Sequence, residues 1–231
     1  MAIPVFLQRL TAKEEKGADT PSWDGCSAGE AIDRQRAMVA AIGRKTVSLF
    51  HEAVGIFFSG NEKEARALLR RPETFTRPLI GTAKEIAGLF KLDLTSAELL
   101  QAGQLQWVTA CIRRVGASAR DILSLAVEMD GEGFSEEGER QLREYAETAG
   151  QLLMKSLNLF ESRSFDQLGS FQQQEEAAEE QETALKDGYF LRLSDECHEP
   201  GVAFLSMMEN CTRCCTLAGE IACSITGREK L

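Results

Sequence analysis

A chain of 231 residues with 43% apolar side chains has the material for one large packed domain or two of ordinary size. Its formal net charge of −10 argues against nucleic acid, which needs clustered lysine and arginine to release counterions, and against anionic lipid surfaces. No apolar run approaches the ~20 residues of a membrane span, and the N-terminal stretch has no basic region ahead of its apolar residues, as a secretory signal would.

Good helix formers dominate the composition, β-type alternation is scarce and only 5 prolines interrupt the chain, so the expected fold is all-α. The polar residues 1–28, with Trp23, read as a lead-in or linker. A first helix begins near Glu30, with apolar residues at Ile32, Val39, Ile42, Leu49, Ala53 and Ile56, and ends at the turn Ser59–Gly60–Asn61. A second helix, from about Glu62 to Phe90, should kink or split at Pro72 and Pro78, because each proline removes a backbone donor and clashes with the preceding turn. Thr95 and Glu98 have capping-box spacing and start a third helix over about 96–129. Its apolar residues Leu105, Val108, Ile112, Val115, Ala119, Ile122 and Ala126 step by three and four, a heptad seam.

Ser135 caps a fourth helix (about 136–162) that carries Leu142, Tyr145, Ala149, Leu152, Ser156 and Leu159 inward. The fifth (about 165–192) contains the acidic run QQQEEAAEEQE, and the sixth (about 199–226) has its own seam at Phe204, Met208, Cys211, Cys215, Ala218, Ala222 and Ile225. An offset of 96 superposes the third seam on the sixth, Val115 falling on Cys211 and Ala119 on Cys215. An offset of 102 brings VGIFFSGNEKEA onto SLNLFESRSFDQ, at the ends of the first and fourth helices. The chain therefore reads as a duplicated three-helix unit, residues 29–130 and 131–231, with six long antiparallel helices in two tandem three-helix bundles.

FFSGNEKEA closing a long helix, then CIRRVGASARDILSLAVE on the third, and their second copies LNLFESRSFDQL and LRLSDECHEPGVAFLSMMENCTRCCTLAGEIACSI, resemble the PhoU family over about residues 29–227. The resemblance is greatest to the cytosolic PhoU-type domain of bacterial sodium/phosphate cotransporter-like proteins, and the lead-in is similar to the stretch that joins that domain to its membrane part. It implies a non-enzymatic regulator of phosphate uptake, cytoplasmic or held at the inner face of the membrane by a transporter. Its partner would be a phosphate transporter or an associated signalling protein, with a homodimer also open. The chain could be free-standing or a released domain.

Many members of that family hold multinuclear metal clusters through an acidic pair four residues apart on the third helix of each repeat, typically Glu-Arg-Ile-Gly-Asp. In this sequence the pattern falls on Arg113 to Ala117 and on Glu209 to Arg213, so Arg113 and Ala117 replace both acids in the first repeat and Arg213 replaces the Asp in the second. Hard cations need several anionic oxygens. No cofactor is therefore expected. The alternative is a divalent or iron-type metal on a remodelled carboxylate site built from Glu175, Glu176, Glu179 and Glu209.

Glu175/Glu179 and Glu176/Glu180 lie one helical turn apart, which suits either a solvated face or a metal site, and the solvated face is the first reading. Glu175 and Glu182 fall on the fifth helix's seam, where carboxylates need partners; Arg213 or Arg192 could supply them. The seven cysteines are odd in number and suit a reducing compartment. Cys211 and Cys215 read as seam fillers, with zinc or redox roles as alternatives that would draw in Cys214, Cys197, His198 and Cys223. Arg113, Arg114 and Arg120, with Arg70, Arg71 and Arg77, could form a basic groove for an anion or an acidic partner helix, against scattered ion pairing. His51 has no ligand partner in sequence, and no nucleophile–base arrangement or phosphate-binding loop is present.

Overall fold

The computed structural model describes residues 25–71, 77–129, 133–194 and 201–226. The lead-in over residues 1–24 with Trp23, the residues around Pro72, and Cys197 and His198 lie outside them, as does the side chain of Arg77. Seven helices and no strands occur among the described residues: α1 (Ala28–Ser59), α2 (Glu62–Leu69), α3 (Arg77–Leu89), α4 (Ser96–Glu128), α5 (Glu136–Ser162), α6 (Leu168–Ser194) and α7 (Gly201–Ser224).

The helix ends follow local chemistry. α1 opens two residues before the reading above, because Ser27 and Glu30 form a second capping box: the Ser27 hydroxyl accepts from the Glu30 amide and the Glu30 carboxylate accepts from the Ser27 amide at 2.9 Å. Thr95 and Glu98 do the same for α4. α1 and α5, the equivalent first helices of the two repeats, both end on a left-handed residue, Gly60 in one and Arg163 in the other. The second helix of the first repeat is split as the prolines require, α2 ending at Leu69 and α3 starting at Arg77.

α1, α4, α7 and α5 pack as a ring of four, each against the next. α2 and α3 lie on α1 and α4 at one flank, and α6 lies on α5 and α7 at the other. Two three-helix units thus join through α1–α5 and α4–α7. Every seam residue read on α4, α5 and α7 is buried, and on α1 only Ile42 is half-buried. Phe50, Phe57, Tyr145, Phe160, Phe171 and Phe204 are the largest side chains fully withdrawn from water. Burial of an apolar side chain of this size stabilises by roughly 2–3 kcal/mol.

Like helices of the two repeats pack on one another, α1 on α5 and α4 on α7, as an approximate two-fold between the repeats would arrange them. Between α1 and α5, close approach needs small residues. A Cβ on Gly43 would come within 2.6 Å of Leu157, and one on Gly150 within 2.3 Å of His51. The gap lined by Gly43, Val47, Val115 and Leu157 admits no water.

Candidate functional site

α4 spans 33 residues and turns its seam inward, so its other side faces solvent along its whole length. Arg113, Arg114 and Arg120 all stand there. Arg114 Nη1 reaches Glu220 Oε2 on α7 at 3.2 Å, and the Cys111 thiol donates to the same oxygen at 3.4 Å. Arg113 and Arg120 have no ion-pair partner among the described residues. Nearer the start of α4, Leu99, Leu100 and Trp107 are 51%, 71% and 53% exposed. Leu100, Trp107 and Arg114 are seven residues apart, and so are Arg113 and Arg120, so apolar and basic side chains share one continuous stripe.

The carboxylates named from sequence do not come together. Glu176, Glu179 and Glu209 are exposed and Glu175 is half-buried. Among the described residues no three His, Cys, Asp or Glu side chains converge on a point where an ion could sit. Glu209 accepts instead from Arg213 one turn away at 3.3 Å, and Arg213 also lies 3.7 Å from Asp121 on α4.

The seam carboxylate Glu182 finds its cation in Lys186, one turn further along α6, and not in Arg213 or Arg192. Its other oxygen accepts from the Tyr145 hydroxyl at 3.4 Å, which also meets the Thr212 hydroxyl at 3.0 Å. Arg192 donates to Gln141 at 2.9 Å and stacks on Phe204. α6 and α7 therefore meet through a polar network in the middle and the Tyr189–Phe204 ring stack at one end.

Among the described residues no cysteine is in a disulfide; Cys111, Cys211, Cys214 and Cys215 are buried, Cys223 is half-buried and Cys26 is exposed. Burial pushes Cys111, Cys214 and Cys215 up to about 12. It also raises the fully buried Cys211 well above its ordinary value, with Cys214 and Cys215 adding to the effect. Such thiols stay protonated at neutral pH and offer neither a nucleophile nor a thiolate ligand. His51 sits at the core edge against Gly150, 3.9 Å from Glu147.

The architecture has counterparts among solved structures. PhoU from Pseudomonas aeruginosa superposes with a TM-score of 0.76 at 15% identity, over 86% of this chain and 97% of that one. The phosphate transport system regulatory protein PhoU from Streptococcus pneumoniae gives 0.77 at 15% identity, over 87% and 95%. The chain has the PhoU fold. No family model and no curated protein matches its sequence. Within that fold, α4 and α7 are the helices on which the resemblance placed acidic pairs. Here those positions hold Arg113 with Ala117, both exposed, and Glu209 neutralised by Arg213.

Sequence reasoning found the arginines of α4 but not the apolar residues beside them. The signal was present: Leu100 and Trp107 are seven apart and off the inward seam, so a helical projection puts them on the solvent side. The buried Arg36 was also missed. It is 3% exposed and stacks 5.0 Å from Phe160.

Proposed function

We propose that this protein is a non-enzymatic, cytoplasmic regulator of phosphate uptake that acts by docking on a phosphate transporter or on a signalling protein associated with one. The observation that carries the reading is the fold: two three-helix units joined through their first and third helices, superposing on PhoU proteins over nearly the whole of those chains. The chemistry of the surface agrees with it. The buried thiols are protonated, the seam carboxylate is held by Lys186 and Tyr145, and what the molecule offers to solvent is long helical faces suited to helix-on-helix recognition.

A tagged chain recovered from the cells that make it, under native conditions, should bring with it a component of a phosphate-uptake system identifiable by mass spectrometry. Recovery with no such component contradicts the reading.

A further inference from the structure

We infer that the solvent face of α4 is the docking surface, and that its occupant is an acidic helix of the partner protein, apolar at one end. This rests on the docking reading above and adds to it a surface and a partner chemistry.

Trp107, Leu100 and Leu99 are large apolar side chains left more than half exposed on the solvent side of a helix whose seam is buried. Tryptophan and arginine are the residues that most often dominate binding energy at protein interfaces, because they combine large contact area with directed polar contacts. From Leu99 to Arg120 the face runs for about 32 Å, at ~1.5 Å of rise per residue, which matches a partner helix of about six turns. Between the flanking side chains run Gly103, Ala110 and Ala117. A Cβ on Gly103 would meet nothing within 4 Å, so the chain itself has no steric need for a glycine there. This track lets a second helix approach closely between the anchors.

Charge selects the occupant. The chain carries −10 overall, yet this face presents Arg113 and Arg120 with no ion-pair partner among the described residues, while Arg114 is engaged by Glu220. Arg140, Arg143, Arg66 and Arg44, by contrast, are each engaged by a nearby glutamate. Two unengaged guanidinium groups seven residues apart fit carboxylates at matching spacing on a facing helix, and the apolar end anchors Leu99, Leu100 and Trp107. A second copy of this chain fits less well: in parallel register it opposes arginine to arginine, and in antiparallel register it sets the arginines over Leu100 and Trp107. The corresponding face of α7 carries Glu209 tied to Arg213 and Thr216 and presents no such pair of unengaged arginines.

The test compares the native capture described above for four forms: wild type, Trp107→Ala, the double variant Arg113→Glu/Arg120→Glu, and Lys45→Glu on the exposed side of α1 as a control. All four changes are at exposed positions, so circular dichroism should show an unchanged fold. Wild type and Lys45→Glu should retain the phosphate-uptake component. Each face variant should lose it at least tenfold, and reversing the acidic residues of the partner's helix to lysine should restore binding to the double variant. Equal capture by wild type and both face variants overturns the surface but leaves the docking reading standing. Capture of no such component by wild type overturns both. A photo-reactive residue at position 107 that cross-links a second copy of this chain, or binding of wild type to phosphatidylserine vesicles with no protein present, overturns the acidic-helix occupant.

Discussion

Arg36 is a charge that the fold buries without a carboxylate in contact. Its Nη1 reaches only the Phe160 carbonyl, at 3.5 Å, and its Nε and Nη2 have no hydrogen-bond partner. Burial, then the neighbouring Arg163, pull the guanidinium down to about 10, while Asp33, already engaged by Arg163 at 2.5 Å, opposes the shift. An apolar side chain of similar length removes both the cost of burying the charge and the two donors left without partners. Arg36→Met should therefore leave stability unchanged or raise it, as read from urea unfolding. A loss of more than about 1 kcal/mol would mean that the stacking on Phe160 outweighs the desolvation. The thiols give a second residue-scale expectation. Burial holds Cys211, Cys214 and Cys215 well above the ordinary 9.0, so the unfolded chain releases these protons first as pH rises. Stability should be constant with respect to them below pH 9 and fall between about 9 and 12. Replacing Cys214 and Cys215 by alanine should flatten that fall, measured by denaturant unfolding in reductant at pH 8 and pH 10.

At the scale of elements, the helices differ in how firmly they are held. α4, α5 and α7 bury a residue on nearly every turn, whereas α6 buries only Phe171, Ala178, Leu185 and Tyr189 and carries two carboxylates on its seam. Local opening is easiest where apolar contact is sparse. Amide hydrogen exchange should therefore be faster in α6 than in α4, α5 or α7, and equal protection in all four would refute this ranking. The same contrast explains which elements were legible in the sequence. The seams of α4 and α7 are nearly unbroken runs of three- and four-residue steps, and their burial follows from periodicity alone. Thr95 and Ser135 announced their helices by side-chain chemistry, and Ser27 with Glu30 carried the same mark. Glu182 was legible as a seam residue in need of a partner, which was sought further off, in Arg213 or Arg192. Lys186, one turn further along the same helix, was within reach of local pattern; what depends on how α6 sits on α5 and α7 is the Tyr145 hydroxyl that meets the other oxygen.

For the whole molecule, the duplication was visible because both copies keep the same inward stripe, and like helices of the two copies still pack on one another, α1 on α5 and α4 on α7. What periodicity cannot supply is which outward residues matter, since water tolerates many side chains there. Trp107 and Leu100 stand out only once the surroundings of α4 are known to leave them bare. The fold is that of PhoU proteins, and Arg113, Ala117 and Arg213 depart from the acidic pattern that the resemblance implies; the proposed regulatory role rests on these two observations. The most direct measurement is uptake of radiolabelled phosphate by cells with the gene deleted, compared with cells in which it is restored. The account predicts that deletion changes the rate of uptake, or its response to external phosphate, and that restoring the wild-type chain reverses the change. Uptake that is identical with and without the protein, in phosphate-rich and phosphate-poor medium alike, would contradict it.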